Sequence, residues 1–125
     1  MRVLVCGGRH YEDAGFLYQT LDAIHTPTSG GITQIIAGGA SGADSLAAAW
    51  AVDRSLPCKI FHAKWQEHGR AAGPIRNQQM LDEGRPDLVV AFPGGRGTAD
   101  MVRKSRAAGF PVQIAGDDKK DATAT

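Results

Sequence analysis

The six residues PGGRGT at 93–98 follow directly on an apolar run, DLVVAF at 87–92. Glycine is the costliest residue to order on folding, so three in six residues call for a reason. At a strand-to-helix junction that reason can be a bound anion. The first turn of a helix offers unpaired backbone N–H groups and about half a positive charge, and glycines let that backbone come close. Gly94, Gly95 and Gly97, with the hydroxyl of Thr98, would cradle a phosphate in this way. Two further clusters repeat the pattern. Gly7 and Gly8 follow the run RVLVC (2–6), with Arg9 next in line. GGASGAD (38–44) follows TQIIA (33–37) and offers Gly38, Gly39, Ser41 and Gly42 as a second cradle. One such cluster can be no more than a tight turn. Three at the same end of a sheet favour a ligand.

Arg76 and Asn77, in RNQQM (76–80), supply the second kind of chemistry. A planar guanidinium fork suits bidentate contact with phosphate or ribose. The apolar pattern puts Arg76 at the start of a helix, where a cation opposes the macrodipole, and that misfit marks it for function. Asn77 could read a ribose hydroxyl or cap the helix. Asp44, opening the helix after GGASGA, is the foremost candidate for a catalytic acid, with Asp100 and Glu67 behind it. Such a carboxyl needs a raised pKa or a positioned water. Trp65 and His68 fall in the irregular stretch KWQEHGRAAGP (64–74), which could close over a base or ribose. Arg96, inside PGGRGT, could face the ligand or solvent.

Several chemistries are disfavoured. No lysine follows any of the glycine clusters as a triphosphate loop requires, and Asp100 stands where a dinucleotide motif wants glycine. The four histidines and two cysteines show no metal-ligand spacing, so no metal site and no definite cofactor are assigned. A magnesium ion could still accompany a phosphate.

The elements that must position these residues alternate. Strands are expected at 2–6, 33–39, 58–63, 87–92 and 110–116, and helices at 12–24, 43–55, 75–83 and 98–108. PTSGG (27–31) and 64–74 are read as loops. Near-continuous apolar strands alternating with helices predict one α/β domain over 1–115, a doubly wound parallel sheet of about five strands with helices on both faces. Right-handed crossovers favour the order 3-2-1-4-5, and in such sheets ligands bind at the carboxyl ends of the strands where the order reverses. Residues 116–125 form a polar tail, expected to be disordered. The layout puts Cys6 and Cys58 at opposite ends of the sheet, as buried apolar side chains and not a disulfide. The 125 residues carry a net charge of +1, with 42% hydrophobic and 22% charged residues. That balance gives no electrostatic argument for nucleic acid or a membrane as an obligatory partner. The start, MRVLVCGG, is too short for a signal-peptide core, so a cytoplasmic location is expected.

Taken together, CGGRHYED, GGASGAD, W-x-x-H-G-x-x-A-G-P-x-R-N (65–77) and PGGRGT resemble the SLOG superfamily. That group includes the lonely-guy phosphoribohydrolases and the DNA-processing protein DprA, and the four motifs look like its single-domain YspA branch. The resemblance spans residues 1 to about 115. It implies a Rossmann-like sheet, a nucleotide or nucleotide-derived ligand, and a homodimer. In the phosphoribohydrolases the loop reads PGGxGTxxE, and an arginine and that glutamate act at the ribose and the bond to the base. Arg76 matches the arginine. Met101 falls where the glutamate belongs, and methionine can neither accept a proton nor steady an oxocarbenium ion. Binding as a sensor or carrier is therefore preferred. Cleavage of an N-glycosidic bond in a nucleoside phosphate or ADP-ribose-like compound is the alternative, with Asp44 and Arg76 as its catalytic pair, and single-stranded DNA binding comes third.

Overall fold

A computed structural model describes residues 1–25 and 30–116. Most of the loop read at 27–31 and nearly all of the tail read at 116–125 lie outside the described residues. The chain forms a five-stranded, all-parallel sheet in the order β3-β2-β1-β4-β5, the arrangement expected from the sequence. Its strands are β1 (Arg2–Cys6), β2 (Gln34–Ala37), β3 (Cys58–Ile60), β4 (Leu88–Ala91) and β5 (Val112–Ile114). The helices are α1 (Ala14–Ile24), α2 (Ala43–Asp53), α3 (Trp65–His68), α4 (Ala72–Gln79) and α5 (Arg96–Ala107).

Side-chain alternation along β1 explains the layering. Val3 and Val5 point to one face, where Leu17 and Leu21 of α1 and Ala47 and Trp50 of α2 pack on them. Leu4 and Cys6 point to the other, against Met80, Leu81 and Met101. Val3, Leu4 and Val5 are wholly buried, each contributing about 1.5–3 kcal/mol. A strand buried on both faces has no polar position to give up, which is why RVLVC reads as an unbroken apolar run. The Trp50 indole N–H donates to Asp22 at 2.9 Å, and Arg54 holds the same carboxylate at 2.7 Å. The cysteines are free, Cys6 ending β1 and Cys58 opening β3.

One segment departs from the sequence reading. The stretch 64–74, expected to be irregular, is helical: α3 is followed by a single 3-10 turn at Gly69–Ala71, and α4 begins at Ala72. Gly69, Gly73 and Pro74 disguise this run. Pro74 sits in the first turn of α4, where a missing N–H costs nothing. A π turn at Met80–Gly84 then extends α4. Arg76 consequently lies in the second half of α4, not at its start. The macrodipole misfit that marked it is absent, and its claim to function rests on its surroundings instead.

The loops after β1, β2 and β4 meet at the carboxyl end of the sheet. The Gly8 N–H donates to the Pro93 carbonyl at 2.8 Å, and the Gly8 carbonyl accepts from Tyr11 and Ala43, each at 3.1 Å. Gly42 caps α2 with φ +75°, and a methyl group there would stand 2.2 Å from the Gly8 carbonyl oxygen. Gly97, by contrast, faces open space. Gly42→Ala should therefore lower stability by about 2 kcal/mol or more. Gly97→Ala should leave it unchanged or raise it by up to about 1 kcal/mol. Urea unfolding measures both, and equal losses would show that the loops are not packed this way.

Candidate functional site

Above the ends of β1 and β4 lies a cleft of about 780 Å³. Its walls are the backbone at 7–11 and 93–98, and its floor includes Asp44, Arg76, Met80 and Met101. One wall includes the start of α5. Gly95 is the cap residue, and no side chain caps this helix. The N–H groups of Arg96, Gly97 and Thr98 meet no acceptor among the described residues. Gly95 and Gly97 are open on their outer sides, so an anion can reach them. Gly94 is different: a methyl group there would lie 2.2 Å from Thr98 Oγ1 and 2.6 Å from the Gly8 nitrogen. Gly7 is likewise pinned, between Ala43 and Phe92. Glycines of one loop thus divide into those that build the cleft and those that open it.

Of the second expected cradle, Gly38 and Gly39 line the clefts, whereas Ser41 and Gly42 are engaged in packing. Ser41 Oγ donates to the Arg9 carbonyl at 3.0 Å, the Ala43 N–H is taken by Gly8, and the Ala40 N–H is taken by Asp44 Oδ2 at 3.1 Å. Ser41 and Gly42 line neither this cleft nor the one beside it. Through these contacts Ser41 and Gly42 bind the loops together.

Arg76 is positioned by backbone. Its Nη1 donates to the carbonyls of Gly38 and, at 3.4 Å, Phe61, while Nε donates to Asn77 Oδ1 at 3.2 Å. Gly38 has no room for a side chain: a methyl would stand 2.6 Å from Arg76 Nη1 and 3.0 Å from Asp44 Oδ2. Both charged groups therefore lie against one glycine. Burial raises the Asp44 carboxyl above its ordinary value, only partly offset by the Ala40 N–H, the Arg76 charge and a backbone hydrogen bond at Gly38. Asn77 is buried and committed, its Nδ2 donating to the Gly97 carbonyl at 3.1 Å and to Asp100 at 3.0 Å. It ties α4 to the first turn of α5.

Asp100 is a tie of the same kind. Burial alone would raise its carboxyl, but hydrogen bonds from Lys104 and Asn77 and the charges of Lys104 and Arg103 outweigh it and hold the pKa below the usual value. A carboxylate so engaged is a poor proton donor. Glu67 is exposed and lies 3.8 Å from His68, and neither lines this cleft or the one beside it. Cys6 touches the first cleft, where burial and then Asp44 push its thiol up to about 12. Met101 is buried in the core beneath the cleft. Among the described residues, no group of three or more His, Cys, Asp or Glu side chains could hold a metal ion.

A second cleft, of about 770 Å³, adjoins the first across Gly38, Arg76, Asn77 and Gly97. Gly39 and Trp65 belong to it. Arg9 and Arg96 border both clefts. Sequence reasoning missed Tyr11, whose ring packs 5.5 Å from Phe92 at the edge of the first cleft. It also missed Arg70, His62 and Arg103 in the second. Tyr11 lies two residues beyond Arg9 in the same loop, a signal that was there to use. The other three carry no local pattern and meet only in three dimensions.

The family model for the YspA, cpYpsA-related SLOG family matches residues 1–68, which carry the first two glycine loops, Asp44 and Trp65. A gene 61 protein of Mycobacterium phage D29 is 36% identical over 124 residues, covering 93% of this chain and 97% of that one. The chain belongs to the YspA, cpYpsA-related SLOG family. The fold is also that of the DNA processing protein A (DprA) from Streptococcus pneumoniae, at a TM-score of 0.51 and 16% identity. That match takes in 94% of this chain but only 59% of DprA. No helix among the described residues is long and apolar enough to cross a membrane.

Asp44 gives this SLOG chain a pH dependence of definite sign. A carboxyl raised in the folded state contributes stability that is complete below the unfolded pKa, about 3.9, and is lost as pH climbs through the folded value. Asp44→Asn keeps an oxygen to accept from Ala40 and removes the charge. It should melt above the wild type by a margin that widens as pH rises from about 4. A margin that is flat or shrinks would contradict the burial of that charge.

Proposed function

We propose that the chain binds a nucleotide or nucleotide-derived small molecule, with phosphate on the first turn of α5 and the sugar toward Arg76 and Asp44. One observation carries this reading: the unpaired N–H groups of Arg96, Gly97 and Thr98 open into a cleft lined by Arg9, Arg76 and Arg96 against the single carboxylate of Asp44. An anion held there gains hydrogen bonds, the helix dipole and nearby guanidinium charge together. The SLOG resemblance supports the same ligand class.

Turnover is a second reading, favoured by Asp44. A buried carboxyl with a raised pKa beside the sugar site could protonate a leaving base while water attacks C1′, releasing free base and ribose phosphate. Against it stands Met101, buried where the phosphoribohydrolases have glutamate. Nothing else beside the cleft supplies a second free carboxylate among the described residues. Binding without turnover is therefore the preferred account. A role with DNA, suggested by the name of the DprA neighbour, would instead show as strand affinity that falls steeply with salt.

A thermal-melt panel of ribose 5-phosphate, the four nucleoside monophosphates and the matching nucleosides tests the reading. A ligand at a hundredfold its dissociation constant adds about 2.7 kcal/mol, or roughly 10 °C for a domain of this size. The shift should require the phosphate. Thr98→Val should weaken binding by about 1–3 kcal/mol, and Arg76→Ala by about tenfold or more, with circular dichroism confirming the fold. Shifts equal with and without phosphate would overturn the assignment. Free base in the same wells, lost in Asp44→Asn, would establish the hydrolase reading over the sensor.

A further inference from the structure

The chain is nearly neutral, with 14 lysines and arginines against 13 acids, yet its charge is not evenly spread. Five of its nine arginines, Arg9, Arg70, Arg76, Arg96 and Arg103, line the second cleft. The only carboxylate there is Asp100, already bound to Arg103, Lys104 and Asn77. The guanidinium groups of Arg9, Arg70 and Arg96 make no hydrogen bond or ion pair with any described residue. Converging cations without partners repel one another, a cost that a bound polyanion would reverse.

One phosphate does not account for this set. The first turn of α5 already offers its free N–H groups to a single phosphoryl group, and Arg96 and Gly97 of that turn sit at the boundary between the two clefts. Arg70 lies beyond that boundary, on the 3-10 turn between α3 and α4, and lines the second cleft alone. Beside it Trp65 presents a ring that is 53% exposed. A large aromatic left half in water next to free guanidinium groups matches a flat ring joined to an anion.

We propose that the second cleft holds a second phosphoryl group, so that the ligand is a pyrophosphate-linked nucleotide, with one phosphate and its sugar in the first cleft and the second phosphate carrying a base onto Trp65. This rests on the phosphate site at α5 described above and extends it. The first cleft anchors the ligand, and the second selects those with two linked phosphates over those with one.

The test uses the intact chain. Its other tryptophan, Trp50, is fully buried, so quenching of tryptophan emission on binding reports Trp65. AMP, GMP, CMP and UMP are titrated against their 5′-diphosphates and ADP-ribose, with calorimetry for affinity. For at least one base, a two-phosphate ligand should bind about tenfold or more tighter than its monophosphate and quench emission. Arg70→Ala, at an exposed side chain without partners, should erase that advantage and leave monophosphate affinity unchanged. Trp65→Phe should abolish the quenching. Equal affinities for one- and two-phosphate ligands, or an Arg70→Ala effect shared by both, would overturn the second-cleft proposal while leaving the phosphate site at α5 intact. Failure of every phosphate ligand to bind would overturn both. Tight binding of an oligothymidylate with steep salt dependence, in place of the small ligands, would overturn the proposal in favour of strand binding.

Discussion

The carbonyl of Gly8 is the point on which the rest of the site depends. It accepts hydrogen bonds from Tyr11 in its own loop and from Ala43 at the start of α2, while the N–H of the same residue reaches Pro93 in the loop after β4. Three loops from three strands are thereby joined through main chain, at separations that side chains would prevent. Methyl groups at Gly7, Gly8, Gly42 or Gly94 would each meet a neighbouring loop or helix within 3.1 Å. The glycine-rich sequence is first a packing requirement. Only with the loops locked in this way does the first turn of α5 face a cleft with its N–H groups free.

Around that junction charge is sorted and not balanced. Carboxylates near the site are buried and engaged: Asp44 turns its oxygens to the backbone of Ala40, and Asp100 is held by Lys104, Arg103 and Asn77. Arginines at its rim are left open. Arg76 stands between the two groups, fixed to the Gly38 and Phe61 carbonyls with its charge felt by Asp44. The result is a positive groove on a protein whose net charge is +1. Overall charge therefore does not describe this groove.

Much of the fold was legible in the sequence. The apolar runs of three to five residues before the glycine clusters place three of the strands, and burial on both faces leaves the parallel, doubly wound sheet as the economical solution. The second half of the chain was harder. Gly69, Gly73 and Pro74 look like loop punctuation, although Pro74 is at ease in the first turn of a helix and the run is helical from Trp65 to Gly84, tightening to a 3-10 turn at Gly69–Ala71. The site was legible as a set of residue types and less so as roles. PGGRGT pointed to the open turn of α5, whereas the similar GGASG turned out to fasten loops through Ser41 and Gly42. A glycine beside a ligand and a glycine beside another backbone look the same in sequence. Arg70, His62 and Arg103 have no spacing in common, and only the fold brings them to one cleft.

The central claim, that phosphate is held by the backbone at the start of α5, can be read at the atoms concerned. Nitrogen–proton correlation spectra of the labelled protein would be recorded with a nucleoside monophosphate that shifts the melting temperature, and with its nucleoside. The amides of Arg96, Gly97 and Thr98 should move strongly with the monophosphate and barely with the nucleoside, while those of Gly8 and Ala43, already bonded within the junction, move little. Large shifts confined to other residues, or shifts at 96–98 that the nucleoside reproduces, would contradict the account.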